Sequence, residues 1–152
     1  FHHIHGAGKS GYAAVMKALA EKGVELKEHP ALQVREYIYD MAPVMRAADL
    51  VICRAGASTI SEITALATPA ILVPSPYVTN NHQEKNARIL EQHGGAALLL
   101  EKDATGDALY DAARGILDDP EKRASMSRAM AELGIPDATE WIFRAVMALV
   151  KK

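Results

Sequence analysis

Short apolar segments alternate with helical patterns along the chain, and this alternation restricts the fold more than any other feature. Strands that are apolar along nearly their whole length are typical of a parallel sheet buried on both faces, with helices as the covering layers. We therefore predict a Rossmann-like α/β fold, a doubly wound parallel sheet that binds ligands beyond the carboxyl ends of its strands. The predicted strands cover residues 1–4, 33–38, 50–53, 70–73 and 96–100, and the predicted helices cover residues 12–22, 41–47, 59–67, 81–93, 105–117, 120–133 and 136–152.

The composition is that of one globular domain. The chain has 152 residues, of which 49% are hydrophobic and 24% are charged. The net charge is −2 and no basic cluster is present, so we expect no nucleic-acid partner. Cys53 is the one cysteine, which excludes a disulfide framework within the chain and favours a reducing compartment. Because a strand pattern already begins at Phe1, we expect the chain to be a piece of a longer protein.

Residues 54–62, Arg-Ala-Gly-Ala-Ser-Thr-Ile-Ser-Glu, join a predicted strand directly to the start of a helix. The free N–H groups and the positive dipole end of such a helix form an anion site, and Gly56 and Ala57 let a ligand approach the backbone closely. Glu62 lies one turn into the helix, where its carboxylate can accept both hydroxyls of a ribose while a diphosphate lies over the loop. Thr59 and Glu62 also match a Thr-x-x-Glu capping box, so both roles of Glu62 stay open.

A second predicted helix start, at residues 80–83, raises the same two alternatives. Asn80 and Gln83 have the spacing of a cap, while His82 and Gln83 offer polar groups to a ligand beside the helix N-terminus.

Near the C-terminus, a helical stripe of apolar residues is interpreted as core packing rather than a membrane anchor. The stripe consists of Trp141, Ile142, Ala145, Val146, Leu149 and Val150.

Residues 5–10, His-Gly-Ala-Gly-Lys-Ser, superficially resemble a phosphate-binding P-loop. The complete pattern requires a glycine where this chain has His3, so we interpret the segment as a glycine-rich turn. The sequence contains no His-Glu-x-x-His and no Asp-x-Asp, and we expect neither a metal site nor a cofactor.

Several segments together match the pattern of one enzyme family. They are Arg54 to Ile63, Pro69 ahead of a strand, Val73-Pro74, His82-Gln83-x-x-Asn86-Ala87, Glu36 to Met41, and Ile135 to Ala138. The chain closely resembles the MurG family of bacterial N-acetylglucosaminyltransferases over nearly its whole length. The resemblance implies that residues 1–152 are part of the C-terminal, nucleotide-sugar-binding half of a GT-B glycosyltransferase. The upstream strand and the N-terminal acceptor domain would lie outside this sequence.

The resemblance also implies the substrate-binding residues. The backbone of Ile38 would contact the uracil with Met41 close by, Glu62 would hold the ribose hydroxyls, and His82 and Gln83 would reach the sugar or the diphosphate. The complete set is Ile38, Met41, Ala57, Ser58, Thr59, Ile60, Ser61, Glu62, His82 and Gln83. Catalytic residues are expected in the acceptor half, so none is assigned here.

The implied reaction is a metal-independent, inverting transfer of N-acetylglucosamine from UDP-N-acetylglucosamine to lipid I, which forms lipid II in peptidoglycan synthesis. The whole enzyme would be a peripheral protein on the cytoplasmic face of the bacterial inner membrane, contacting the membrane and lipid I through its N-terminal half. Three alternatives remain. They are another GT-B UDP-sugar enzyme such as an epimerase, a non-catalytic nucleotide-binding module that needs a partner chain, and a P-loop phosphotransferase.

Overall fold

The computed structural model describes residues 1–150, and it confirms the predicted alternation of strands and helices. The last predicted helix, 136–152, extends over Ala138–Val150 in the structure, while residues 151 and 152 lie outside the described part. The strands within residues 1–150 are β1 (His3–Gly6), β2 (Leu32–Arg35), β3 (Val51–Cys53), β4 (Ala70–Leu72) and β5 (Ala96–Leu98). The α-helices are α1 (Tyr12–Glu21), α2 (Met41–Ala47), α3 (Ala57–Ala65), α4 (His82–Gln92), α5 (Gly106–Leu117), α6 (Pro120–Leu133) and α7 (Ala138–Val150).

The chain divides into two compact units, of which the first comprises residues 1–42. In this unit β1 pairs in parallel with β2, from His3 opposite Leu32 to Gly6 opposite Arg35. The carboxyl ends of both strands therefore lie at the same edge, where the loops at 7–11 and 36–40 leave them. None of residues 1–42 is fully buried.

The second unit, from Pro43 onward, contains a three-stranded parallel sheet in the order β3-β4-β5. Ala70 and Leu72 of the central strand pack into one core cluster with residues of α3, α4 and α6. Ile71, between them, packs into a second cluster with residues of α5 and α6. Because successive side chains of a strand point to opposite faces, these two clusters cover both faces of the sheet. The predicted doubly wound parallel arrangement is confirmed in this unit.

The C-terminal apolar stripe differs from its predicted role. Helix α7 has no buried residue, and Trp141 and Leu149 are 62% and 74% exposed. The interpretation of this stripe as core packing is therefore wrong within residues 1–150, because a helical period predicts an apolar face but not the element that covers it. No helix in this range is both long enough and apolar enough to cross a membrane.

Candidate functional site

Helix α3 begins at Ala57, two residues before the predicted start at Thr59, with Gly56 in an extended conformation as its N-cap. The first helical hydrogen bond of α3 runs from the Ile60 N–H to the Gly56 carbonyl oxygen at 3.0 Å. The amides of residues 57–59 therefore have no acceptor within the helix, and Ala57 and Ser58 are exposed. The open amides that such an anion site requires are therefore present at the end of β3, while anion binding there stays a prediction.

The alternative role of Glu62 in a capping box is wrong. Thr59 is the third residue of α3 rather than its N-cap, so its hydroxyl is not placed to cap the first turn. Within residues 1–150 the exposed Glu62 carboxylate has no hydrogen-bond or ion-pair partner, and its position leaves it available to a ligand. Burial of Cys53, together with the negative charge of Glu62, raises the pKa of the Cys53 thiol to about 11. The Glu62 carboxylate thus lies within electrostatic range of the carboxyl end of β3.

The next two predicted residues lie on the side of α3. Ser61 is exposed, and its hydroxyl donates a hydrogen bond to the Ala57 carbonyl oxygen at 3.0 Å. Ile60 is half-buried. Both residues line a groove of about 420 Å³ that is bordered by α3, α4 and the segment around Ile135.

Arg54 connects the carboxyl ends of all three strands of the second unit. It directly follows β3, and its Nη1 donates to the carbonyl oxygen of Val73, the residue after β4, at 3.1 Å. Both terminal nitrogens also bind the carboxylate of Glu101, which follows β5, with Nη2 lying 3.1 Å from Oε1. This hydrogen-bonded pair raises the pKa of Arg54 and lowers the pKa of Glu101.

A loop between β4 and α4 fixes the orientation of two predicted site residues. The Ser75 N–H donates to Gln83 Oε1 at 2.9 Å, so the side-chain nitrogen of Gln83 remains as a donor. His82 Nδ1 lies 3.0 Å from the carbonyl oxygen of Thr79. Because a carbonyl only accepts hydrogen bonds, this nitrogen carries the proton, and Nε2 of the neutral ring is an acceptor.

The start of α4 is connected to the loop before α3. Asn86 donates from its side-chain amide to the Ala55 carbonyl oxygen at 3.2 Å. Asn80 and Asn81 both have left-handed backbone conformations, with φ of 56° and 50°, and neither caps α4 through its side chain. The cap predicted from the spacing of Asn80 and Gln83 is therefore wrong, because Gln83 instead accepts from Ser75.

In the first unit, the structure positions Ile38 against the end of β1. A side chain at Gly6 would contact Ile38 Cδ1 at 3.2 Å, so the absence of a side chain at Gly6 allows this packing. Met41 is exposed at the first position of α2. Ile38 belongs to the first unit, whereas residues 57–62 and 82–83 belong to the second, so the proximity of Ile38 and Met41 to those residues stays a prediction.

The segment that resembles a P-loop forms a turn ahead of α1. Gly8 has a φ of 71°, and its carbonyl oxygen accepts from the N–H groups of Gly11 and Tyr12 at 3.2 and 3.0 Å. These two amides are therefore already bound to the chain. Among residues 1–150, no group of three or more His, Cys, Asp or Glu side chains is arranged to hold a metal ion.

Sequence reasoning missed Arg54 and Asn86 as residues that organise the site. Arg54 stands in the predicted loop, but nothing in the local pattern indicates its partner Glu101, which is 47 positions away. Asn86 belongs to the segment that carries the resemblance, and its partner Ala55 is 31 positions away. Both pairings depend on which strand ends and helix starts the sheet brings together.

Comparisons with known proteins agree on one family. The sequence profile described as "Glycosyltransferase family 28 C-terminal domain" matches residues 1–142. An enzyme of Acetivibrio thermocellus named UDP-N-acetylglucosamine--N-acetylmuramyl-(pentapeptide) pyrophosphoryl-undecaprenol N-acetylglucosamine transferase is 44% identical over 151 residues, which are 99% of this chain. A protein of the same name from Desulforamulus reducens is 37% identical over 149 residues, or 98% of the chain. This chain spans 40% of the length of each relative.

A solved structure gives the same result for the fold. The crystal structure of Acinetobacter baumannii MurG superposes with a TM-score of 0.77 and is 26% identical in sequence. The match covers 95% of this chain and 42% of that protein.

Proposed function

The chain belongs to the glycosyltransferase family 28 C-terminal domain family, and we propose that it is the donor-binding half of the enzyme that transfers N-acetylglucosamine from UDP-N-acetylglucosamine to lipid I. Its fold is that of one half of a GT-B glycosyltransferase. The enzyme name shared by the two relatives, at 44% and 37% identity, supports this donor and this acceptor. The chain spans 40% of the length of these relatives, so we infer the complete transfer reaction for the whole enzyme and only donor binding for this chain.

The observation that carries the proposal is the open first turn of α3. The amides of residues 57–59 lack acceptors within the helix, and they lie just beyond the end of β3. In this proposal they bind the diphosphate of the donor, with the positive end of the helix dipole behind them. As the bond between the sugar and UDP breaks, negative charge grows on the diphosphate, and the same amides stabilise it. This electrostatic role requires no metal ion.

Each remaining side chain has a role that follows from its orientation. Glu62, exposed and without a partner in the described chain, accepts hydrogen bonds from the two ribose hydroxyls. Gln83 donates from its side-chain nitrogen to the sugar or the diphosphate, because Ser75 occupies its oxygen. His82 accepts a hydrogen bond from a sugar hydroxyl at Nε2. As the family resemblance implies, the backbone of Ile38 contacts the uracil, with Met41 close by.

No catalytic base is assigned within this chain. In the proposed enzyme the base, the lipid I site and the membrane contact belong to the acceptor half, and the enzyme lies on the cytoplasmic face of the inner membrane. A two-domain cleft requires both walls to align donor and acceptor. The 152-residue chain alone is therefore expected to bind UDP without transferring N-acetylglucosamine to a lipid I analogue.

The test is the discrimination of the ribose by Glu62. Glu62→Gln removes the negative charge from two hydrogen bonds to the ribose, so it should weaken UDP binding roughly tenfold or more. Calorimetric titration measures this loss. Binding of 2′-deoxy-UDP should change much less, because one of the two hydroxyls is already absent. Glu132→Gln, an equal charge change at an exposed position of α6, is the matched control and should bind both nucleotides normally. Equal weakening of both nucleotides in Glu62→Gln would overturn the ribose assignment.

The choice of sugar separates the proposal from its nearest alternative. Competition titrations with UDP-N-acetylglucosamine and UDP-glucose test whether the chain prefers the acetamido sugar. A preference for UDP-glucose would favour a different GT-B enzyme.

A further inference from the structure

An arginine at the head of an anion-binding loop is normally a candidate for direct contact with a diphosphate. In this structure the guanidinium of Arg54 is already engaged. It binds the Glu101 carboxylate through both terminal nitrogens and donates to the Val73 carbonyl oxygen at 3.1 Å. Its positive charge is neutralised by an adjacent carboxylate, so little of it remains to attract a phosphate.

We propose that Arg54 and Glu101 form a clamp that positions the diphosphate-binding loop, and that Arg54 does not itself bind the diphosphate. This inference rests on the proposed function, because it requires that the loop at residues 55–59 holds a diphosphate.

The positions of the three partners explain how the clamp works. Arg54 precedes Ala55 and Gly56, which lead directly into the open turn of α3, while Val73 and Glu101 follow β4 and β5. The clamp therefore fixes the start of the loop to the two other strands of the sheet. Asn86 holds the next residue through the Ala55 carbonyl oxygen. The contacts of Arg54 and the hydrogen bond from Asn86 together hold the amides of residues 57–59 in a fixed orientation relative to the carboxyl ends of the strands.

Only a guanidinium can make this set of contacts. Its planar fork binds both oxygens of one carboxylate while the same group donates to a carbonyl oxygen, whereas a lysine ammonium is a single point charge on a flexible stem. Arg54→Lys therefore keeps the positive charge but loses the clamp.

Removing Glu101 distinguishes positioning from direct contact, because the two roles predict opposite results. If Arg54 positions the loop, Arg54→Ala and Glu101→Gln each weaken UDP binding by about tenfold, and the double variant is no weaker than either, since the pair acts as one unit. If Arg54 binds the diphosphate, Glu101→Gln frees its charge, and UDP binds equally well or more tightly. The second result would overturn the inference.

Three further measurements complete the experiment. Arg54→Lys should lose nearly as much UDP affinity as Arg54→Ala, and restored affinity in Arg54→Lys would show that charge alone matters and refute the clamp. Uridine lacks the diphosphate, so all variants should bind it with the same affinity in NMR titrations. A loss of uridine affinity that parallels the loss of UDP affinity would indicate general disruption of the domain and would also refute the clamp. Asp118→Asn is the matched control, because it removes the ion pair with Arg114, whose side chains are about as exposed as those of the Arg54–Glu101 pair. This variant should leave UDP binding unchanged.

Circular dichroism melting verifies that each variant is folded before titration. If wild type fails to bind UDP, the proposed function itself fails. If wild type binds UDP and Glu101→Gln binds it as tightly, only the clamp fails.

Discussion

Replacing Gly134 with alanine would place a methyl group against the backbone of α3. Gly134 follows α6, and an added Cβ would lie 2.5 Å from the Thr64 carbonyl oxygen, 2.9 Å from the Thr64 carbonyl carbon and 3.3 Å from the Ala65 nitrogen. All three atoms belong to the backbone, so no side chain can rotate away to relieve the overlap.

The carbonyl of Thr64 has little freedom to move. Its oxygen accepts from the Ala67 N–H at 3.0 Å in the turn that ends α3, and the Thr64 hydroxyl donates to the Ile60 carbonyl oxygen at 2.8 Å. Overpacking of a tightly packed contact costs about 1–3 kcal/mol, and the short distance to fixed backbone atoms favours the upper part of this range. We expect Gly134→Ala to lower the free energy of unfolding by about 2–3 kcal/mol, which corresponds to a decrease in Tm of about 5–10 °C.

Urea unfolding followed by far-UV circular dichroism measures this change. Gly106→Ala is the matched control, because a Cβ at that first position of α5 meets nothing within 4 Å. It should leave stability unchanged or raise it by about 0.5–1 kcal/mol through the lower entropy of the unfolded chain. If Gly134→Ala unfolds within about 0.5 kcal/mol of wild type, a normal surface effect, the close packing of α6 on α3 is refuted.

Three other measurements test separate parts of the structure. Ala67 has a φ of 53° at the end of α3, a conformation that costs an L-residue about 1–2 kcal/mol, so Ala67→Gly should stabilise the chain, and a lower Tm would contradict this. The raised pKa of the Cys53 thiol, about 11, predicts alkylation by iodoacetamide at pH 8 that is about a hundredfold slower in the native chain than in urea; equal rates would contradict it. UDP binding should survive EDTA and tolerate Lys9→Ala but be damaged by Ala57→Val, which crowds the open turn of α3, whereas Mg²⁺-dependent ATP binding that vanishes in Lys9→Ala would establish a P-loop instead.

Local patterns in the sequence predict the fold well. The predicted strand at 70–73 corresponds to β4 at Ala70–Leu72, and the expected parallel pairing is confirmed in both units. The start of α3 is less accurate, at Ala57 rather than Thr59, because a Thr-x-x-Glu spacing competes with an extended Gly56 as the signal for the helix start. That difference of two residues decides whether Thr59 caps the helix or contributes an open amide.

What the sequence by itself determines is which chemical groups follow each strand. Hydrophobic periodicity, glycine and the spacing of polar residues act over a few neighbouring positions. A helix start soon after β3 and the carboxylate of Glu62 are therefore predictable from the chain alone, whereas the first helical residue, Ala57, is not. Only the tertiary structure decides which partners those groups have. Arg54 meets Glu101 across 47 positions because β3, β4 and β5 run parallel and their carboxyl ends share one edge. The exposure of α7 is likewise decided by tertiary structure. A periodic sequence pattern gives the helix an apolar face, but long-range packing decides whether another element covers that face.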